Sequence, residues 1–174
     1  MHIIIDGYNL IRHSVALRRF EKQSLEAARR ALAHHIALYR TRRGHRVTIV
    51  FDGREGDSPE EERDIMDGVV VIYSRRGETA DDLIKRMVVK AKEETVVVTS
   101  DRNLADHVTR HGSAAVSSDE FEARLDMTRQ SPVAAGWGED DSEEEKFFSG
   151  AKKKGPDRRP SRREKTARKR IKKL

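Results

Sequence analysis

Asp6 closes the apolar run His2-Ile3-Ile4-Ile5, Asp52 closes Val47-Thr48-Ile49-Val50-Phe51, and Asp101 closes Val96-Val97-Val98-Thr99-Ser100. A further acidic pair, Asp81-Asp82, follows Gly77-Glu78-Thr79-Ala80 and opens an amphipathic stretch. Parallel strands deliver their carboxyl ends to one edge of a sheet, and open α/β folds bind their ligands in the crevice there. Carboxylates gathered on such an edge repel one another unless a positive charge lies between them. A hard divalent cation, and with it phosphate chemistry, is the partner that this residue set calls for.

Taken singly, each acid has a plainer use. Asp101 fits an N-cap for a helix starting at Arg102, and Thr79 with Asp82 resembles a capping box. Asp6-Gly7 and Asp52-Gly53 fit ordinary turns. Helix phase separates the adjacent pair: Asp81 lies three and seven residues before Ile84 and Val88, on the apolar face, whereas Asp82 phases with Arg86 and Val89. Asp81 is thus the better ligand and Asp82 the better cap, although both are candidates for a metal. Asn9 could hydrogen-bond a phosphate, a metal-bound water or a neighbouring backbone group. His34 and His35 have no acidic or histidine partner at i+4, which favours solvated or core roles. Tyr8 and Tyr73 could stack on bases, but core packing is the commoner fate.

The elements that must carry these residues alternate. Residues 2–6, 46–51, 69–73 and 95–100 read as short buried strands, with a weak fifth at 114–116. Leu25, Ala28, Leu32, Ile36 and Tyr39 recur at helical spacing and predict a helix over 22–43, stopping at Gly44. Further helices are expected over 79–93, 102–111 and 118–129, and a polar loop over 53–67. Strands alternating with helices imply an α/β sandwich with a mainly parallel sheet of about five strands.

At 174 residues the chain suits one domain with appendages. Residues 1–150 carry 23 Lys/Arg and 28 Asp/Glu, whereas residues 151–174 carry 13 and 2. The division expected is therefore a domain over 1–130, an acidic linker over 131–150 and a basic disordered tail over 151–174. Such a tail attracts nucleic acid by counterion release. There are no cysteines, which removes disulfides, zinc thiolates and a thiol nucleophile. No apolar run approaches the roughly 20 residues of a membrane span. The N-terminus lacks the pattern of a signal peptide, so a soluble cytoplasmic protein is the expectation. There is no Gly-rich P-loop, and no Gly-x-Gly-x-x-Gly follows the first strand. Asp6 lacks a second aspartate two residues on, against an aspartyl-phosphate mechanism.

Four ordered blocks, Asp6-Gly7-Tyr8-Asn9-Leu10-Ile11, Phe51-Asp52-Gly53, Thr79-Ala80-Asp81-Asp82-Leu83-Ile84 and Val98-Thr99-Ser100-Asp101-Arg102, resemble the YacP-like branch of the NYN domains, within the PIN-like nuclease group. The resemblance covers roughly residues 1–130 and leaves the basic tail outside. It implies a central parallel sheet flanked by helices as a three-layer sandwich, an acidic pocket for Mg²⁺ or Mn²⁺, cleavage of single-stranded RNA, and ribosomes as a partner. Carried over by motif, Asp6, Asp81 and Asp101 match the metal-binding acids, and Asn9 matches the second Asn of the signature. The first Asn has no counterpart, since Gly7 or Asp6 stands there. Asp52 matches a position of variable role, and either Asp106 or Asp119 matches a fourth acid.

The expected activity is that of a metal-dependent endoribonuclease. Arg102 and Lys85 are candidate phosphate contacts, or surface ion pairs worth under about 1 kcal/mol. Lys152, Lys153, Lys154, Arg158, Arg159, Arg162 and Arg163 of the tail are expected to meet RNA; eight phosphates of a single strand would give a log–log salt slope of about −6. Two rivals remain: an inert RNA- or ribosome-binding module of the same fold, and a metal-dependent phosphatase of small esters.

Overall fold

The structure is a computed structural model and describes residues 1–53, 58–130, 162–172 and 174. Its elements are β1 (His2–Asp6), α1 (Gly7–His13), α2 (Val15–Glu21), α3 (Leu25–Arg43), β2 (Arg46–Phe51), β3 (Glu62–Met66), β4 (Val69–Tyr73), α4 (Ala80–Lys90), β5 (Thr95–Val98), α5 (Arg102–Arg110), β6 (Ala114–Val116), α6 (Ser118–Gln130) and α7 (Arg162–Ile171). The strands form one six-stranded sheet in the order β3-β4-β2-β1-β5-β6. Among the described residues, only the β3–β4 pairing is antiparallel.

Period-two alternation sorts the strand residues onto two faces. Ile3, Ile5, Val47, Ile49, Phe51, Val71, Tyr73, Val96 and Val98 pack with α1, α3, α6 and α7 in the larger core. Ile4, Val50, Ile72 and Val97 pack with α4 and α5 in the smaller one. The helix after β1 thus covers one face and the helix after β5 covers the other, although β1 and β5 are neighbours. This is a topological switch point, where the connections part and leave a crevice beyond the strand ends.

The polar loop expected over 53–67 is corrected by β3. Glu62, Arg63, Asp64 and Ile65 are all exposed on an outer strand, so no alternation of burial marks it. Charges on such an edge discourage pairing with other chains. The hairpin turns through Asp67 (φ 49°) and Gly68 (φ 75°), both left-handed, as a two-residue turn between twisted strands requires. The helix expected over 22–43 begins later, capped by Ser24, and is preceded by the unforeseen α1 and α2.

The expected disordered tail is corrected over Arg162–Ile171, which form α7. This segment is too polar to fold alone, and it does not: Ala167, Ile171 and Leu174 join the larger core. The buried Tyr39 hydroxyl donates to the Leu174 carbonyl at 2.7 Å, and Arg170 pairs with Glu94 at 3.3 Å. Residues 131–161, with the acidic linker and most of the candidate basic residues, lie outside the described ones. Deleting 162–174 is expected to lower the thermal midpoint followed by circular dichroism, because buried Leu174 alone is worth about 1.5–3 kcal/mol. An unchanged midpoint would refute this role for α7.

Candidate active site

The carboxyl edge of the sheet is built by alternation. Asp6 follows Ile4 by two residues, Asp52 follows Val50 and Thr99 follows Val97, so all three turn toward the α4/α5 face. Asp6 is 8% exposed and N-caps α1, accepting from the Asn9 backbone N–H at 3.2 Å and the Thr99 hydroxyl at 3.3 Å. Asp101 N-caps α5, accepting from the Leu104 N–H at 2.8 Å. Asp52 is exposed and accepts from the Ala80 N–H at 2.7 Å, which fastens the start of α4 to the edge and sets Asp81 beside it. The capping reading is therefore realised for Asp101, Asp6 proves a cap where a turn was expected, and the charges of Asp6, Asp52, Asp81 and Asp101 act on one another along this edge.

Asp81 has no hydrogen bond among the described residues and feels the charges of Asp101, Asp52 and Asp82. Burial first, then the Asp101 charge, raises its pKa above the usual carboxylate range, and Lys85 offsets part of this. For Asp6, burial is the largest cause, reinforced by the charges of Asp81 and Asp52; its pKa is pushed up to about 6 against the pull of the Asn9 and Thr99 hydrogen bonds. A positive charge placed at this edge would relieve both the burial cost and the mutual repulsion.

Asp82 is different. It accepts from the Thr79 hydroxyl at 2.9 Å, its N–H donates back to that oxygen at 3.2 Å, and Lys85 stands 3.7 Å away. The Thr79 hydrogen bond lowers its pKa, and its exposed carboxylate serves the capping box. Lys85 is thereby an exposed-side ion-pair partner, and Arg102 is exposed at the head of α5. Asp119 pairs with His13 at 3.1 Å, next to Ser118, whereas Asp106 sits along α5.

Asn9 spans the switch point. Its amide oxygen accepts from the Ser100 N–H at 2.9 Å and the Ser118 hydroxyl at 2.7 Å, tying α1, the segment just after β5 and the head of α6 together at one atom. Its amide nitrogen has no protein acceptor among the described residues, leaving two N–H donors at the crevice. Thr99, Ser100 and Ser118 were not foreseen as parts of this framework. Thr99 had a signal, since it keeps the alternation of β5; Ser118 lies 109 residues from Asn9 and had none.

Oxygen donors suit a hard cation. Among the described residues, however, no three carboxylate or imidazole groups converge closely enough to hold one ion directly. A cation at this edge would have to be met by one or two carboxylates and its own waters, as Mg²⁺ can be.

A mostly parallel six-stranded sheet with carboxylates at its switch point is the arrangement expected of a PIN-like nuclease fold. Within that class the chain belongs to the YacP-like NYN domain family, whose model matches residues 3–172 and so takes in α7. Membership implies a nuclease-type, RNA-related function. The crystal structure of Rae1 (YacP) from Bacillus subtilis matches with a TM-score of 0.63 at 26% identity, over 74% of this chain and 75% of that one. The crystal structure of a mutant form of that protein matches with a TM-score of 0.62 at 26% identity, over 74% and 76%. The uncharacterized protein YacP of Bacillus subtilis (strain 168) is 33% identical over 85 residues, 49% of this chain and 49% of that protein. The chain thus matches about half the length of this curated relative. No helix among the described residues is long and apolar enough to cross a membrane.

Proposed function

We propose that this protein is a metal-dependent endoribonuclease acting on single-stranded RNA. The observation that carries the reading is the buried Asp6 at the switch point, with its pKa pushed up to about 6 beside Asp81. Asp6, Asp81 and Asp101 would hold Mg²⁺ or Mn²⁺, with Asp52 and Asp82 positioning the head of α4. When bound, such a cation supplies positive charge to the scissile phosphate and acidifies a water. The chain's own part is to fix the phosphate and to hold the cation. Asn9, its oxygen anchored, presents its amide N–H groups to a non-bridging phosphate oxygen. With a cation beside it Asp6 would be ionised, so its part is to hold the ion rather than to take the proton of the water. The α1 and α5 caps hold Asp6 and Asp101 so that little reorganisation accompanies reaction.

The rival reading is an inert RNA-binding module, favoured by the lack of three converging ligands among the described residues. The discriminating experiment is cleavage of a labelled unstructured RNA in Mg²⁺, Mn²⁺ or EDTA, with and without ribosomes, comparing wild type with Asp81→Asn. The nuclease reading requires cation-dependent cutting that the variant loses by about 10³-fold. RNA bound but uncut in every condition would establish the module instead.

A further inference from the structure

On the larger-core face of the same sheet edge, the Arg29 guanidinium lies 5.4, 5.7 and 5.5 Å from the ring centroids of Tyr8, Phe51 and Tyr73. It donates to the Tyr8 hydroxyl, and its buried Nε has no partner. No carboxylate pairs with it among the described residues. Tyr8 is two residues beyond Asp6 and Phe51 directly precedes Asp52, so this cation stands across the strand ends from the acids. Three further cations, Arg18, Arg19 and Lys22, are exposed on α2 and just beyond it, and none has a carboxylate partner among the described residues. Residues at i, i+3 and i+4 share a helix face, so Arg18 and Arg19 lie with Lys22 on one side of α2. Only residues 22–24 separate α2 from α3, which carries Arg29, and the two helices pack together.

We propose that Arg29 with Tyr8, continued by Arg18, Arg19 and Lys22, is the track that holds the phosphates of single-stranded RNA flanking the acidic edge. The inference rests on the ribonuclease reading for its substrate. An acidic edge repels RNA, so the attractive charge must lie beside it. A half-buried arginine on aromatic rings is held in place, yet its charge is uncompensated, which suits bidentate capture of a phosphate. The basic tail is the competing docking surface, but its described part is fastened elsewhere. Arg170 pairs with Glu94 and donates to the Gly112 carbonyl, at the starts of β5 and β6 and hence the opposite edge of the sheet.

The test is fluorescence anisotropy of an unstructured labelled RNA across a salt series, with the full chain carrying Asp81→Asn to prevent cutting. The triple variant Arg18→Gln, Arg19→Gln, Lys22→Gln is expected to lower the magnitude of the log–log salt slope by about 2, since each single-strand phosphate contributes about 0.7. Lys169→Gln with Lys172→Gln, both exposed on and after α7, is expected to leave it unchanged. In the cutting-competent chain, Arg29→Met is expected to raise KM at least several-fold with kcat little altered. A thermal scan checks that this variant folds; if it does not, the surface triple decides. An unchanged slope in the triple, or a loss confined to the α7 pair, overturns the track. Wild-type cutting with an unaltered triple would leave the nuclease and remove the track. No cutting with a flattened slope would do the reverse.

Discussion

Asp6→Asn is expected to abolish RNA cleavage and, in EDTA near neutral pH, to make the protein more stable than wild type. The folded-state pKa of Asp6 is about 6, raised chiefly by burial and then by the charges of Asp81 and Asp52, against an ordinary value of 3.8. Folding therefore favours the protonated acid. Its contribution is intact below about pH 4 and is lost as pH rises through about 6. At neutral pH the ionised group costs of order 2–3 kcal/mol, a displacement of roughly two units at about 1.4 kcal/mol each. Asparagine carries no charge to desolvate, and its oxygen still accepts from the Asn9 N–H. The thermal midpoint should exceed that of wild type by roughly 5–10 °C near pH 8, at about 2–4 °C per kcal/mol, with the gap closing toward pH 4. Adding Mg²⁺ should raise the wild-type midpoint and leave the variant unmoved. A variant less stable than wild type at pH 8 would show that the site is not electrostatically strained. Loss of cutting by about 10³-fold, alongside higher stability, is the pairing that separates a functional acid from a structural one.

Gly7→Ala is expected to unfold or severely destabilise the protein for a steric reason alone. A Cβ at position 7 would sit 2.2 Å from Phe51 Cε1 and 2.6 Å from its Cδ1. The ring cannot retreat: Phe51 is fully buried, edge-on to Tyr8 at 5.0 Å and stacked on Tyr73 at 5.8 Å. Overpacking of this kind costs about 3 kcal/mol or more. Urea unfolding measures it, and Phe51→Leu should recover part of the loss when combined with Gly7→Ala, because the two share one contact. A single variant within about 0.5 kcal/mol of wild type would mean that β1 and α1 shift more easily than the packing implies.

Glycine thus follows Asp6 because Phe51 needs the space, a reason the sequence hides. What the sequence does disclose is whatever repeats at short range. The β-branched runs of β1, β2, β4 and β5 and the helical stripe of α3 announce themselves by period. Asp6, Asp52 and Asp101 announce the edge by closing or following those runs. The hairpin of β3 carried a two-residue turn signal, Asp67-Gly68 between Met66 and Val69, which the expectation of a polar loop passed over. What stays hidden is long-range. Arg29 meets Tyr8 across 21 residues and Ser118 meets Asn9 across 109, with no spacing rule to join them. The burial of Leu174 depends on Tyr39, 135 residues earlier, so composition alone makes the C-terminal segment look unable to order.

The Tyr39–Leu174 contact also constrains the order of assembly. During synthesis the sheet residues through Val116 emerge well before α7, so the larger core stands uncovered beside β6 and α6 for the time it takes to make the intervening chain. At about 5–20 residues per second, the 58 residues from Ser117 through Leu174 correspond to several seconds. A nascent chain arrested in that interval would hold an assembled acidic edge over an unfinished core, so the acidic side of the molecule is completed before the side that secures it.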